Sequence, residues 1–293
     1  MELDYVKLKD IKPALSGYIN ESQLLLKRSS EPDEEAVHDI RVFMKKARAA
    51  VRLLNSQIDD ELFIKENIAY REIGRMMSSW REISVLRKTL KSLKKENPDL
   101  FLRLSENEKI QSLLKKPEIE PEVSESVKLK IEQIDDLFNK AAHRIRFYNL
   151  DKIDPQLLLK ELERSYLLVS DYYLKCRINP KPATIHEFRK RAKDFLYQLY
   201  FFKPLNPVGI KLLEKKLDTL TQNLGKYNDL TQITRILDYK PGTLDNKVEV
   251  NELIVVIRNK QDEFLSKVWP IAYKVFCPGQ KLINLLGFKL LVI

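Results

Sequence analysis

The chain contains very little glycine: 7 of 293 residues, where average usage of about 7% would give about 20. This scarcity leaves little room for hairpin turns or a glycine-rich phosphate loop and favours a mostly helical protein. Cysteine is also scarce, and the only two are Cys176 and Cys277. They form neither a C-x-x-C metal motif nor a disulfide framework. No apolar run is long enough to span a bilayer, and the first residues show no secretory signal. We therefore expect a helical, reduced, cytoplasmic protein without a membrane segment.

The charge balance is basic. Lys and Arg number 52 against 42 Asp and Glu, which gives a formal net charge of +10. Apolar residues make up 44% and charged residues 32% of the chain, a composition typical of globular proteins that argues against disorder. The excess of positive charge favours a polyanionic partner, and the alternative is a basic surface that only keeps the protein soluble.

Apolar residues recur with helical periodicity through most of the chain. The predicted amphipathic helices are residues 3–28, 33–56, 60–96, 123–148, 155–177, 183–202, 207–239 and 245–275. Proline and glycine punctuate the boundaries between them. The polar segment 98–122 contains three prolines and is predicted to be a loop with a short helix. The apolar C-terminal segment 282–293 is expected to pack internally.

An internal repeat divides the chain into two halves. A shift of 148 residues aligns the first half with the second without a gap over its first fifty residues. The aligned identities include these pairs: Lys12 and Lys160, Tyr18 and Tyr166, Pro32 and Pro180, His38 and His186, Arg41 and Arg189, Lys45 and Lys193. Further along, residues 80–83 correspond to residues 227–230 with a slip of one residue. We interpret the chain as a duplication with halves 1–150 and 151–293.

The first histidine segment, residues 33–56, places cations on one face of a helix. At about 100° per residue, offsets of 0, 3, 7, 10 and 14 from the histidine fall within an arc of about 80°. These positions hold His38, Arg41, Lys45, Arg48 and Arg52, with Lys46 at the flank. An apolar stripe lies opposite and is the predicted core side: Ile40, Met44, Ala47, Val51 and Leu54.

The second histidine segment, residues 183–202, repeats this face less strictly. Leu196 and Tyr200 occupy two positions that are cationic in the first segment, so we expect the first half to contribute more anion affinity. The polar face is formed by His186, Arg189, Lys190, Lys193 and Tyr197. The predicted core side is formed by Phe188, Ala192, Phe195 and Leu199.

The two cationic faces favour an anion-binding site. Neither face shows the acidic residues at i±4 that usually stabilise an exposed charged helix, and like charges at that spacing are mutually destabilising. A solvated basic surface is the alternative. A bound phosphate favours a charged imidazole, so affinity is expected to rise as the pH falls through the histidine range. The alternative for His38 and His186 is a capping or buried hydrogen-bonding role, and His143, which has no repeat partner, is expected to be structural.

Two carboxylates, Glu82 and Asp229, occupy equivalent positions in the two halves. They suggest either metal ligands or a general base, or else ion pairs that hold the basic helices in place. The ion-pair interpretation is favoured, because salt-bridging carboxylates are common and no ligand spacing accompanies these two. We therefore expect no cofactor and no metal site.

Three segments resemble the CHAD family, a histidine-containing α-helical domain. Residues 37–48, V-H-D-I-R-V-F-M-K-K-A-R, resemble its first signature, V-H-x-x-R-V-x-x-R-R-x-R. Residues 185–197, I-H-E-F-R-K-R-A-K-D-F-L-Y, resemble the second, H-x-x-R-K-x-x-K-x-x-R-Y. Residues 224–230, L-G-K-Y-N-D-L, are similar to its L-G-x-x-x-D-L segment. Asp194 and Leu196 depart from the pattern where the family often has basic residues.

The resemblance covers essentially the whole chain and implies both a fold and a function. The implied fold is all-α, with two four-helix bundles related by a pseudo-two-fold axis and a central groove or pore lined by basic helices. The implied function is non-catalytic binding of inorganic polyphosphate, with polyphosphate granules as a location. The implied contacts are His38, Arg41, Lys45, Lys46, Arg48, His186, Arg189, Lys190 and Lys193. Arg52 and Tyr197 lie on the same faces and complete the candidate set.

Two other functions compete with polyphosphate binding. Binding of RNA or DNA is the first, because Tyr197 and Tyr200 among cations could stack a base. No motif of the kind that reads RNA sequence is present, so nucleic acid is expected mainly as a competitor. A metal-dependent phosphohydrolase is the second, using the two equivalent histidines with Glu82 and Asp229. It is disfavoured because two-metal sites are rich in carboxylates, whereas these faces are cationic.

Overall fold

The computed structural model describes residues 11–28, 32–115, 121–150, 153–237 and 248–287. All regular structure in these ranges is helical, which confirms the predicted all-α class. The α-helices are α1 (Ile11–Lys27), α2 (Glu34–Leu53), α3 (Asp60–Met76), α4 (Ser78–Glu96), α5 (Pro98–Arg103), α6 (Glu108–Leu114), α7 (Pro121–Arg146), α8 (Pro155–Ile178), α9 (Pro182–Leu199), α10 (Pro207–Ile236), α11 (Val248–Phe276) and α12 (Leu282–Leu286). Two 3-10 segments, Leu104–Glu106 and Tyr200–Leu205, follow α5 and α9.

Side-chain caps determine where several of these helices begin. Asp33 Oδ1 accepts a hydrogen bond from the backbone N–H of Ala36 at 2.7 Å, at the start of α2. Asn206 Oδ1 accepts from the backbone N–H of Gly209 at 3.0 Å, at the start of α10. Each such cap satisfies a donor that the helix itself leaves free and contributes about 1 kcal/mol. The cap at Asp33 therefore fixes the register of the helix that contains His38.

The predicted helix 60–96 is wrong in one respect, because the structure divides it into α3 and α4 at Met77. Near this division the carbonyl of Gly74 accepts hydrogen bonds from Ser78 Oγ at 3.1 Å and from Arg41 Nη1 at 2.7 Å. Serine and glycine are weaker helix formers than alanine, since serine competes for backbone groups and glycine costs backbone entropy. These local features weaken the backbone hydrogen bonding of the helix near Met77. The apolar periodicity does not change there, so it does not predict the division.

The segment 98–122 is more ordered than predicted. Its described part contains α5, α6 and a 3-10 turn, where a loop with one short helix was expected. Phe101 and Ile110 are buried here and join a second apolar cluster with α4, α10 and α11. Burying one such side chain stabilises by about 1.5–3 kcal/mol, which explains why a polar-looking stretch is structured.

The helices of the two histidine segments, α2 and α9, pack directly against each other. Ala49 and Ala50 are buried on α2, and their small side chains allow a close approach. Gln198 of α9 is also buried, and its side-chain amide donates to the Ala49 carbonyl at 3.3 Å. The main apolar cluster includes residues of both helices. The contact therefore brings together the two segments that the repeat identifies as equivalent.

The start of the apolar C-terminal segment packs internally, as expected. Leu282 and Leu286 of α12 are buried in the main cluster, and Asn206 Nδ2 donates to the Leu286 carbonyl at 2.8 Å. Residues 288–293 lie outside the described part of the chain. Within the described ranges, no helix combines the length and apolar character that crossing a bilayer requires.

Candidate functional site

The predicted faces of α2 and α9 are confirmed on their apolar sides. All five residues of the α2 stripe and all four of the α9 stripe are buried. On the cationic side of α2, Arg41, Lys45, Arg48 and Arg52 are partly exposed. The helical periodicity therefore separates core from polar face correctly in both segments.

A central cavity of about 460 Å³ brings cations of both halves together. Arg41 and Lys45 reach it from α2, and His186 and Arg189 reach it from α9. Its other described lining residues come from α4 and α10: Val85, Leu86, Asn228, Asp229, Gln232 and Ile236. Four of the predicted site residues thus meet at one place, although they are far apart in the sequence.

The two equivalent arginines are anchored in the same way. Arg41 Nη1 donates to the Gly74 carbonyl at 2.7 Å and to Ser78 Oγ, and Arg189 Nε donates to the Thr221 carbonyl at 3.4 Å. Gly74 and Thr221 are related by the repeat with its slip of one residue. Each guanidinium is therefore held against the helix that follows it.

Gly225 makes room for the guanidinium of Arg189. A Cβ at this position would lie 3.3 Å from both Nε and Nη2 of Arg189. Gly225→Ala is expected to displace the guanidinium by a few tenths of an ångström and to weaken anion binding several-fold. Stability is expected to hold or rise, because alanine is favoured over glycine in a helix by about 1 kcal/mol.

Gly225→Ala is to be measured by polyanion titration and by urea unfolding, with Gly17→Ala as the matched helical control, since nothing lies within 4 Å of a Cβ there. Equal affinity in the two variants would contradict the role of Gly225.

A smaller cavity of about 250 Å³ extends the central one along α2 and α3. It shares Arg41 and Lys45 with the central cavity and adds Arg48, Arg71 and Arg75. Burial and the neighbouring Arg52 lower the pKa of Arg48, which reflects the density of positive charge here. Sequence reasoning did not assign Arg71 to the site. The available signal was its spacing of four residues from Arg75 on the helix after the histidine segment.

Arg52, a predicted site residue, forms an ion pair with Asp194 of α9, and the two side chains are only 24% and 21% exposed. This pair crosses the contact between α2 and α9. Asp194 lies where the CHAD pattern often has a basic residue, so it compensates charge that would otherwise accumulate between the helices. Arg52 therefore connects the halves and does not line the central cavity.

The expectation that neither face has acidic partners is wrong for α9. Glu187 Oε1 accepts from Lys190 Nζ at 2.6 Å, and its other oxygen lies 3.6 Å from Arg191 Nη2. Lys193 Nζ pairs with Asp218 of α10 at 3.0 Å. The spacing of three residues from Glu187 to Lys190 is visible in the sequence. The contact of Lys193 with Asp218 depends instead on how α9 packs against α10. The second face is therefore less positive than its sequence suggests.

Seven of the eleven predicted site residues do not line the central cavity: His38, Lys46, Arg48, Arg52, Lys190, Lys193 and Tyr197. Lys46 and Tyr197 line a separate cavity on the α1 and α10 side, because they project from a different side of their helices than Arg41 and Arg189. His38 is partly exposed in the first turns of α2 and does not line either of these cavities. The structure thus divides the predicted set between two places.

His186 is expected to make anion binding at the central cavity depend on pH. Burial, with the positive charges of Lys190, Arg189 and the more distant Arg235, lowers the pKa of His186 against the opposing effect of Glu187. A bound polyanion favours the imidazolium and so raises this pKa in the complex. Binding therefore takes up a proton, and affinity is expected to rise as the pH falls from above the pKa of the complex to below that of the free protein.

This pH dependence can be measured by polyanion titrations across the histidine range. His186→Gln is expected to flatten the profile, whereas His143→Gln, at a site on α7, leaves it unchanged. A His186→Gln variant with the wild-type profile would contradict the role of His186.

The described residues offer no group of three or more His, Cys, Asp or Glu side chains that could hold a metal ion. Asp229 lies at the edge of the central cavity among cationic and amide side chains. The Glu82 side chain lies outside the described residues, so the predicted equivalence of the two carboxylates stays a prediction.

The fold and this geometry define an all-helical protein in which equivalent basic helices meet at a cationic cavity. The model of the CHAD domain matches residues 19–238, from α1 through α10. The chain belongs to the CHAD domain family. No curated protein matches the chain.

Proposed function

We propose that the chain binds inorganic polyphosphate and does not hydrolyse it. CHAD domains are linked to polyphosphate binding in general. For this chain, the observation that carries the proposal is that Arg41 and Arg189, from equivalent helices, line one cavity together with Lys45 and His186. A phosphate chain presents charged oxygens at every unit and has no bases, so closely spaced fork-like and point cations suit it.

The lining residues that the two cavities share support a path for a linear ligand. Arg41 and Lys45 line both of them, and the smaller cavity continues towards Arg48 and Arg71. A chain that binds at the central cavity can extend along α2 and α3 without leaving cationic side chains. This path constitutes the proposed basic groove, and the first half supplies most of its charge.

A pseudo-two-fold arrangement of two helical bundles accompanies this proposal. Packing of α1 on α2 recurs as α8 on α9, and packing of α2 on α3 recurs as α9 on α10. The contact of α1 with α7 likewise recurs as α8 with α11. These recurrences, with the paired anchoring of Arg41 and Arg189, support an axis near the contact between α2 and α9.

Nucleic acid fits the central cavity less well. Its described lining residues include no tyrosine, phenylalanine or tryptophan on which an unpaired base could stack. Hydrolysis also fits less well, because metal-assisted phosphoryl chemistry favours clustered carboxylates, whereas cations outnumber the one described carboxylate, Asp229, in this lining. A site of this kind binds phosphate oxygens without activating a nucleophile.

The test is a titration of the full chain with long-chain polyphosphate at physiological salt, competed by RNA and DNA at equal phosphate concentration. Polyphosphate is expected to be preferred by at least about tenfold, which corresponds to about 1.4 kcal/mol. Equal competition by RNA would contradict the proposal. Release of orthophosphate in the presence of Mg²⁺ or Mn²⁺ would contradict the absence of catalysis.

A matched pair of variants separates a site from diffuse electrostatics. Lys45→Glu and Lys94→Glu change the net charge equally, but Lys45 lines both cavities and Lys94 is exposed near the end of α4. Lys45→Glu is expected to weaken polyphosphate binding at least tenfold more than Lys94→Glu. Similar losses in the two variants would leave only a basic surface.

A further inference from the structure

A second large cavity, of about 530 Å³, lies between α1, α2, α9 and α10. The described lining residues of this cavity and of the central cavity are entirely different. The second cavity combines three tyrosines, three lysines, two carboxylates and one leucine: Tyr18, Tyr197, Tyr200, Lys46, Lys211, Lys215, Glu214, Asp218 and Leu196. This lining offers tyrosine rings in addition to cations, whereas the described lining of the central cavity has cations but no tyrosine, phenylalanine or tryptophan.

The internal repeat shows that this chemistry arises at positions where the two halves differ. Tyr200 and Leu196 line the cavity and correspond to Arg52 and Arg48 in the first half. The first-half arginines are engaged by polar partners, since Arg52 pairs with Asp194 and Arg48 Nε donates to Asn67 at 3.2 Å. The second half thus has aromatic and apolar side chains at positions that are arginines in the first half, and these side chains line a cavity suited to a ring-bearing ligand.

The tyrosines are held in place around the cavity. Tyr18 stacks on Phe43 with ring centroids 5.9 Å apart, and burial together with the nearby Tyr200 raises the pKa of Tyr18 to about 12. Tyr200 meets the ring of Phe201 edge-on at 5.5 Å, yet it remains 53% exposed. A partly exposed aromatic ring that is held by a neighbouring ring can serve as a stacking platform for a base.

Two lysines form the cationic end of the cavity. Lys211 and Lys215 are exposed and lie one turn apart on α10, where side chains at i and i+4 are neighbours. Among the described residues neither has an ion-pair partner, in contrast to Lys193, which pairs with Asp218. Adjacent uncompensated ammonium groups suit successive phosphates of a short chain.

The two carboxylates of the lining, Glu214 and Asp218, provide hydrogen-bond acceptors in the same cavity. Glu214 Oε2 lies 3.4 Å from Lys203 Nζ, and Asp218 Oδ1 lies 3.0 Å from Lys193 Nζ, so both charges are balanced. A carboxylate accepts several hydrogen bonds and retains acceptor capacity beside such a partner. Ribose hydroxyls are donors that carboxylates bind in other nucleotide sites. A bare phosphate chain has no hydroxyl donor for these two acceptors.

We propose that this cavity binds a ribonucleoside polyphosphate, with the base against Tyr200, the ribose hydroxyls at Glu214 and Asp218, and the phosphates at Lys211 and Lys215. The cavity volume falls within the range of about 300–1,000 Å³ that is usual for small-molecule sites. The site is independent of the polyphosphate groove, since the two share no described lining residue.

Calorimetric titration of the full chain with ATP, adenosine and inorganic tripolyphosphate tests this proposal. ATP is expected to bind at least tenfold more tightly than either fragment, because the fragments lack the phosphates or the ring. Tyr200→Ala is expected to lower the affinity for ATP at least tenfold without changing the affinity for tripolyphosphate. Tyr200→Phe, which keeps the ring, is expected to retain the affinity for ATP. Tyr273→Ala, at an exposed tyrosine of α11, is the matched control. Lys45→Glu in the polyphosphate groove is expected to preserve the preference for ATP over tripolyphosphate.

Three results would overturn the proposal. Equal binding of ATP and tripolyphosphate by the Lys45→Glu variant, in which binding at the polyphosphate groove is weakened, would show that the ring contributes nothing. Equal effects of Tyr200→Ala and Tyr273→Ala would show that the cavity is not used. Tyr200-dependent binding of a single-stranded RNA oligonucleotide in the absence of ATP binding would identify a different occupant.

Discussion

Replacing Arg41 and Arg189 together with glutamate is expected to lower the affinity for long-chain polyphosphate by about a hundredfold or more. Hydrogen bonds to charged groups contribute about 1.5–3 kcal/mol each, and each 1.4 kcal/mol corresponds to about tenfold in affinity. Both arginines line the central cavity, so the double variant removes two such contacts and replaces them with repulsion. The affinity is to be measured by titration at fixed salt, since ionic strength alone changes polyanion binding.

The control for this prediction must separate charge from structure, because Arg41 also holds α2 against Gly74 and Ser78. The double variant Lys94→Glu, Lys95→Glu makes the same change in net charge at exposed positions of α4. Thermal unfolding of each variant shows whether the helices remain packed. A second pair, Arg41→Lys and Arg189→Lys, keeps the charge and loses the fork geometry, so an intermediate loss is expected. If the Arg41→Glu, Arg189→Glu variant and the Lys94→Glu, Lys95→Glu variant were both folded and lost the same amount of polyphosphate affinity, a defined site would be contradicted.

The paired arginines show what sequence alone can establish. Helical periodicity placed Arg41 and Arg189 on polar faces, and the repeat indicated that their environments match. The structure adds that both donate to carbonyls at repeat-related positions, Gly74 and Thr221. Periodicity suffices for this much because the face of a helix depends only on residue spacing.

Helical periodicity and the internal repeat do not predict the contacts between helices. The ion pair of Arg52 with Asp194 and the pairing of Lys193 with Asp218 depend on how α2, α9 and α10 cross. Spacing along one helix carries no information about the crossing angle or the depth of packing. Arg52 was therefore placed with the ligand contacts, although its guanidinium is engaged by a carboxylate of the other half.

The structure places Lys45 and Lys46 at different cavities for a geometric reason. Lys46 follows Lys45 directly, and a step of about 100° around the helix places the two side chains on different sides. Lys45 lines the central cavity, whereas the Lys46 ammonium lies 5.8 Å from the ring centroid of Tyr18 beside the second cavity. A family pattern that reads both as basic does not distinguish these surroundings.

A buried ion pair between α3 and α7 supports the helix that provides Arg71 and the Gly74 carbonyl to the site. Glu66 is fully buried, and its carboxylate accepts a hydrogen bond from Arg144 Nε. Burial and the charge of Glu66 also raise the pKa of Tyr70 and of Tyr148. The carboxylate is thus surrounded by one guanidinium and two neutral tyrosines in an apolar region.

Glu66→Leu is expected to lower the free energy of unfolding by about 3 kcal/mol, because removing one partner of a buried pair leaves the other charge uncompensated and costs about 3–5 kcal/mol. The lower end of this range applies because Arg144 is 29% exposed and partly hydrated. Urea denaturation followed by circular dichroism measures the change. Glu61→Leu is the matched control on α3, since the exposed pair of Glu61 with Lys65 contributes at most about 1 kcal/mol.

The double variant Glu66→Leu, Arg144→Met distinguishes the loss of a charge partner from the loss of packing. Replacing a whole buried pair with apolar side chains is often neutral or stabilising, so the double variant is expected to recover most of the stability that Glu66→Leu loses. The double variant should also recover any polyphosphate affinity that Glu66→Leu loses. In it α3 again positions Arg71 and the Gly74 carbonyl, which anchors Arg41. If Glu66→Leu and the double variant were equally unstable, the packing of Glu66, and not its charge, would be what holds α3 against α7.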